Sequence, residues 1–215
     1  MSGHDLCEPP SLKGQETMQP SSAGKVSTIG DAQEWYLRSD GVVRSSALRE
    51  IINHMVEGQV KTEFENDSYL DALVLTEVMF ARANNSIRMF TGPMCEGFLK
   101  TLESCFKSAV ERFALSGGII QIVIICDEVP KFLADLKEKF PKTIQIGLAK
   151  IRPGAGPINH FLVCDSKMAR VEEPHGDLTQ NTPIDAIKAK AYFNNVSLAR
   201  IFESRFAAMW GVVYK

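Results

Sequence analysis

The sequence lacks several features that would assign a protein to a class at once. Its five cysteines are an odd number and no two of them have C-x-x-C spacing, so neither a zinc knuckle nor a redox pair is indicated. The strongest apolar run, residues 118–126, is too short to cross a bilayer. The first residues have neither a basic start nor an apolar core, which excludes a secretory signal. We therefore expect a cytoplasmic protein without membrane association.

Neither sign of charge dominates the sequence. The 24 lysines and arginines against 26 aspartates and glutamates give a formal net charge of -2. Nucleic-acid binding by the whole chain is not supported by this net charge. We expect no cofactor. The 215 residues, 45% of them hydrophobic, allow one medium domain with a small appendage.

The composition divides the chain into three stretches. Residues 1–32 are rich in Ser, Gly, Pro and Gln and predict a mobile tail, because such a segment buries too little surface to offset its ordering entropy. Apolar residues at helical spacing predict helices over 45–58 and 67–83, within a helical segment over 33–85. These two helices either cover one face of a sheet or form an arm. Residues 86–215 form the third stretch.

Residues 86–215 are predicted to form an α/β domain. Its pattern indicates a mixed, mostly parallel central sheet with helices on both faces. The nearly all β-branched run 119–125 predicts a strand covered on both faces, and the strand–helix–strand order that follows it predicts a parallel crossover. The predicted strands cover residues 87–91, 119–125, 144–151, 159–164, 167–172 and 189–193, and the predicted helices cover 95–115, 130–140 and 196–211.

The order of these elements resembles one half of the phospholipase D superfamily. The resemblance covers roughly residues 86–215 and is carried by three stretches: His160-Phe-Leu-Val-Cys-Asp165 with the strand after it, Ala191-Tyr-Phe-Asn-Asn195, and the last helix from Phe202 to Trp210. They are similar to that family's histidine-bearing strand–turn–strand, its asparagine segment and its closing helix. Because single-motif members of the family pair two chains around a shared site, the resemblance also implies a homodimer.

The resemblance implies a catalytic motif that this sequence carries only in part. The family's chemistry uses His-x-Lys-x4-Asp, in which the histidine attacks phosphorus and the lysine binds the phosphoryl oxygens. His160 is the candidate catalytic residue, but Leu162 stands at the lysine position and Asp165 comes two residues too early. The nearby lysine, Lys167, follows the turn predicted at Asp165-Ser166, which has hairpin spacing between the strands 159–164 and 167–172. The motif is therefore degenerate.

Four residues are candidates for ligand binding: Arg170, Glu172, Lys167 and Asn194. Arg170 and Glu172 share one face of the predicted strand, because strand side chains alternate, and could line a pocket with His160. The alternatives are a structural histidine, a surface ion pair of Arg170 with Glu172, and an asparagine that caps the last helix.

A metal site is not indicated by sequence spacing. Glu172, Glu173 and His175 form a dense polar set, but their spacing matches no known metal-ligand pattern, so no metal is expected there.

Two functional hypotheses follow from the degenerate motif. The first is a catalytically degenerate domain that binds a phosphate-bearing ligand or a partner protein in regulation. The second is a phosphodiesterase or nuclease with a site shared across a homodimer, in which His160 is the nucleophile and Lys167 or Arg170 replaces the missing cation. A pure interaction protein, acting through its tail and first helices, is a third. A positive side chain directed into the same cavity as His160 would overturn the view of an inert domain.

Overall fold

The computed structural model describes residues 26–92, 96–150, 159–175 and 178–213. The elements in chain order are α1 (Ile29–Leu37), α2 (Ser39–Glu57), β1 (Thr62–Asn66), α3 (Tyr69–Arg82), β2 (Ser86–Thr91), α4 (Glu96–Thr101), α5 (Glu103–Ser116), β3 (Ile119–Ile125), α6 (Lys131–Lys139), β4 (Ile144–Ala149), β5 (His160–Cys164), β6 (Met168–Glu172), β7 (Ala189–Phe193) and α7 (Val196–Val213). Within this described part of the chain, no helix has both the length and the apolar character needed to cross a membrane.

The seven strands form one mixed sheet in the order β1-β7-β6-β5-β2-β3-β4. The prediction of a mixed sheet is confirmed, but the prediction that it is mostly parallel is wrong. Only β2–β3 and β3–β4 pair in parallel, whereas β1–β7, β2–β5, β5–β6 and β6–β7 pair antiparallel. The helical crossovers that favour parallel pairing join β2, β3 and β4 alone, while β5 and β6 are joined by a tight hairpin that forces the antiparallel direction.

Helices cover both faces of the sheet, as predicted. Helix α7 buries Ala199, Phe202 and Phe206 against one face, where Val123 and Phe161 are among the residues they contact. The core on the other face includes buried residues of α3 and α5. Strand β3 supplies both cores, because its alternate side chains point to opposite faces. The long helix predicted over 95–115 is divided at Leu102 into α4 and α5.

The described residues before β2 contribute to this same sheet. Helix α3 packs against the sheet and α2 packs on α3 and α1, so these helices belong to the body of the domain and do not form an arm. Strand β1, which the sequence does not predict, pairs with β7 at the sheet edge. The predicted tail boundary at residue 32 also needs correction, because α1 begins at Ile29 behind a capping box of Thr28 with Asp31. Residues 1–25 of the predicted tail lie outside the described residues.

Candidate functional site

The β5–β6 hairpin brings the predicted site residues together at its open end. Its loop consists of Asp165, Ser166 and Lys167, and the first two have φ of 54° and 53°, the left-handed conformation of a tight hairpin turn. The resulting register pairs His160 with Glu172 and Cys164 with Met168. His160 and Glu172 are therefore direct cross-strand neighbours at the end opposite the turn.

The Glu172 carboxylate is the centre of a polar cluster. Arg170 Nη1 donates to its Oε2 at 2.5 Å, while His175 Nε2 lies 2.5 Å and His160 Nδ1 lies 3.5 Å from its Oε1. All four side chains are mostly buried, with exposed fractions between 9% and 16%. Arg170 and Glu172 are thus a buried pair on one strand face, as alternation predicts, and not a surface ion pair.

The surroundings of Glu172 favour its ionised form. Burial by itself would raise the pKa of this carboxyl, but the charge of Arg170 and the hydrogen bonds from His160, His175 and Arg170 together hold the pKa well below its usual range. The carboxylate is therefore charged at neutral pH and able to orient the two imidazoles.

Arg170 is fixed by a second residue from a distant part of the chain. Its Nε donates to Asn66 Oδ1 at 2.7 Å, and Asn66 is fully buried at the end of β1. Its Nη2 is buried without a hydrogen-bond partner among the described residues. Asn66 was missed by the sequence analysis because β1 itself was not predicted.

A cavity of about 80 Å³, called here the His160 cavity, adjoins this cluster. His160, Arg170, Glu172 and His175 line its polar side. Its apolar wall includes Met89, Phe90, Phe98, Phe161, Leu162 and Leu178. A polar cluster on one side of a small, mainly apolar cavity is the arrangement expected of a ligand site.

Gly92 lies against the edge of the His160 imidazole. A Cβ placed on Gly92 would stand 2.7 Å from His160 Nε2 and 2.8 Å from Cε1, closer than real contacts allow. With Nδ1 directed at Glu172 and Nε2 beside Gly92, the ring is positioned from both of its nitrogens. The ring edges of Phe90 and His175 also pack near it, at centroid distances of 6.3 and 5.1 Å.

Two predicted ligand-binding residues lie elsewhere. Lys167 is exposed at the turn of the hairpin, at the opposite end of β5 from His160. Asn194 donates through Nδ2 to the carbonyl oxygens of Met55 and Val60 and so fixes the loop between α2 and β1. It is Asn195 that accepts the cap hydrogen bond from Leu198 N of α7, at 3.3 Å.

The fold is similar to those of solved structures. NucT from Helicobacter pylori has a TM-score of 0.53 at 13% identity, covering 70% of this chain and 96% of NucT. TrmBL2, an archaeal chromatin protein, has a TM-score of 0.51 at 16% identity, covering 84% of this chain; this chain spans 66% of TrmBL2, just under two thirds. A phospholipase D family member, NUC from Salmonella typhimurium, has a TM-score of 0.49 at 16% identity, covering 70% of this chain and 95% of NUC.

These likenesses concern the fold alone. The predicted α/β fold agrees with the likenesses to NucT and TrmBL2, while identities of 13% and 16% carry no statement on activity. No protein-family model and no curated protein matches the sequence.

Proposed function

We propose that the protein is a catalytically degenerate phospholipase-D-like domain that binds a phosphate-bearing ligand in the His160 cavity and acts in regulation. The observation that carries this proposal is the convergence of His160, Arg170 and Glu172 on one cavity. Two imidazoles and a guanidinium offer the N–H donors that phosphate oxygens accept. The cavity volume of about 80 Å³ suits one small group better than an extended substrate.

Binding is proposed ahead of cleavage because of how Arg170 is engaged. Arg170 does bring a positive side chain to the cavity, so the condition for overturning the view of an inert domain is met, and the missing motif lysine does not by itself argue against cleavage. The charge of Arg170 is already offset, however, since Nη1 donates to Glu172 and Nε to Asn66. A buried, paired guanidinium stabilises the added charge of a phosphoryl transition state less than an unpaired lysine would.

The binding proposal is tested by thermal unfolding with inorganic phosphate, nucleotides and a simple phosphodiester, all in the presence of a metal chelator. A ligand present at 100 times its Kd stabilises the folded state by about 2.7 kcal/mol, which raises the Tm of a domain of this size by roughly 5–10 °C. The shift should disappear in His160→Ala. It should persist in Lys167→Ala, the matched control at the far end of the same hairpin.

Two outcomes would contradict the binding proposal. One is the absence of a shift with every phosphate-bearing probe. The other is a shift of equal size in His160→Ala and the unsubstituted protein. Either result would leave a partner protein as the ligand to be sought.

A phosphodiesterase or nuclease is the second candidate, favoured by one specific contact. His160 Nδ1 faces the Glu172 carboxylate at 3.5 Å, an arrangement that holds an imidazole in the tautomer whose Nε2 can act as nucleophile or base. A second copy of the chain would then have to supply the missing cation. Hydrolysis of a generic phosphodiester or of single-stranded DNA, lost in His160→Ala and accompanied by a dimer in light scattering, would establish this candidate. A monomer without activity would exclude it.

A further inference from the structure

We propose that His160, Glu172 and His175, called here the triad, form a site for one divalent transition-metal ion. Nothing in the sequence spacing indicates it, because His160 joins the other two only through the pairing of β5 with β6. Metal binding at the triad goes beyond the proposed binding of a phosphate-bearing ligand and does not depend on it.

The positions of the three donor atoms carry the proposal. One donor atom from each of His160, Glu172 and His175 lies within 4.8 Å of the other two. Glu172 Oε1 is 3.5 Å from His160 Nδ1 and 2.5 Å from His175 Nε2. Donor atoms around one tetrahedral zinc ion at about 2.0–2.1 Å are roughly 3.3 Å apart, so small side-chain rotations suffice to bring the three onto one ion. The strand pairing fixes His160 and Glu172, and His175 follows Glu172 by three residues in a segment without regular structure.

Glu172 is already arranged as a ligand that gives one oxygen. Arg170 Nη1 occupies Oε2, and Asn66 holds Arg170 in turn, so Oε1 is the oxygen left towards the two imidazoles. Hydrogen bonds of this kind to a ligating carboxylate are what fix its orientation in metal sites. A structural ion pair of Arg170 with Glu172 does not by itself require two histidines on the other oxygen.

The donor set and the adjoining cavity indicate the kind of metal. Two imidazole nitrogens and one carboxylate oxygen suit Zn²⁺ or Fe²⁺, whereas Mg²⁺ and Ca²⁺ prefer oxygen donors alone. The three ligands leave further coordination positions, and the His160 cavity of about 80 Å³ borders the triad. The geometry therefore points to a site whose ion can also bind water or an anion, and not to a closed structural site.

The experiment is a titration of the full chain, stripped with a chelator, with Zn²⁺ in competition with a chromophoric chelator. We expect one Zn²⁺ bound per chain, with affinity at least tenfold lower in each of His160→Ala, Glu172→Gln and His175→Ala. Co²⁺ should give an absorption spectrum of a four- or five-coordinate site that these variants lose. No phosphate-bearing probe is present, so this result and that of the phosphate titration are separate.

The chain offers matched controls, because its four histidines include His4 and His54. His54 is exposed near the end of α2, and its substitution by Ala should leave zinc affinity unchanged, as should His4→Ala. If circular dichroism shows that one triad variant does not fold, the zinc affinities of the other two variants and of His175→Gln are the test of the site. The proposal is overturned if the unsubstituted protein binds no Zn²⁺ at micromolar concentration, or if folded triad variants bind as tightly as the controls.

Discussion

The two ends of the β5–β6 hairpin each carry a carboxylate, and the groups around the two are of different kinds. At the turn, Asp165 accepts hydrogen bonds from three successive backbone amides, those of Asn84, Asn85 and Ser86, at 2.7 to 2.8 Å. At the open end, Glu172 is surrounded by the side chains of one arginine and two histidines, beside a cavity.

This difference separates a carboxylate that stabilises the fold from one at which we propose binding. The positions of these three backbone amides are fixed by the fold, so none of them is an exchangeable partner. Asp165 therefore joins the hairpin turn to the turn between α3 and β2. The imidazoles around Glu172, in contrast, can bind a proton, a metal ion or an anion in place of a present hydrogen-bond contact. Asp165, which resembles a displaced motif aspartate in the sequence, is therefore assigned a structural role, whereas Glu172 belongs to the proposed binding site.

The largest effect expected is on stability, at the turn. Asp165→Ala removes three charge-assisted hydrogen bonds and places alanine at a positive φ, so the free energy of unfolding should fall by about 3 kcal/mol. Chemical denaturation measures this loss. Binding of Zn²⁺ and phosphate, measured below the transition, should be unchanged.

Asp165→Asn is the control for that substitution. Asparagine tolerates the left-handed conformation and keeps an acceptor oxygen, so it should cost clearly less than alanine. If Asp165→Ala left stability intact but abolished zinc or phosphate binding, the assignment of the two carboxylates would be reversed.

The next largest effect is expected on binding at the open end of the hairpin, when the packing around His160 is changed. In Gly92→Ala the new Cβ would stand 2.7 Å from His160 Nε2, so the imidazole must move away from its place beside Glu172. Overpacking of this kind costs about 1–3 kcal/mol. We expect zinc and phosphate affinity to fall at least tenfold in titrations of the folded variant.

Gly211→Ala in α7 is the matched control, since a Cβ there meets nothing within 4 Å. It should leave both affinities unchanged and raise stability slightly, because alanine favours a helix over glycine. Equal affinities in Gly92→Ala and Gly211→Ala would show that the position of the His160 ring does not matter for binding.

The elements that local pattern determines were predictable from sequence. Strand β7 has its predicted bounds of 189–193 and β3 its predicted 119–125. The first run alternates and the second is apolar except for Gln121, and both lie between clear breaks. Strand β1 was not predicted, since Thr62–Asn66 carries glutamates at alternate exposed positions of a sheet edge and has no apolar run. Strand direction depends on which neighbours pair in space. The hairpin indicates antiparallel pairing of β5 with β6, but no local pattern shows that β5 pairs with β2 or that β7 pairs with β6 and β1.

The same limit applies to the site. Strand alternation was enough to put Arg170 on the face of Glu172. A two-residue turn at Asp165-Ser166 would place Val171 opposite His160, and the observed pairing with Glu172 follows because Lys167 also belongs to the loop. The contact of Asn66 with Arg170 joins residues 104 positions apart through an unpredicted strand, and no local signal contained it. Lys167 was expected near His160 because it is close in sequence, but the turn carries it to the far end of the strand.

The smallest effect concerns a thiol next to the turn. Cys164 is fully buried, and burial raises its pKa well above the ordinary value, whereas Cys126 is partly exposed and its pKa is raised, again mainly by burial. Thiolate is the reactive form, so a raised pKa means slower alkylation at pH 8 and faster alkylation as the pH rises. Iodoacetamide should therefore label Cys126 well before Cys164, as followed by peptide mass spectrometry.

The rate at which Cys164 is labelled then measures local opening at the turn end of the hairpin. Its rate in the native state is set by local opening, and a loss of about 3 kcal/mol in opening free energy corresponds to roughly a 100-fold faster reaction. Asp165→Ala should accelerate Cys164 by up to this factor, while His175→Ala, at the other end of the hairpin, should leave it unchanged. If both variants accelerated Cys164 equally, the hairpin would open as one unit, and its two ends could not be treated as separate in stability.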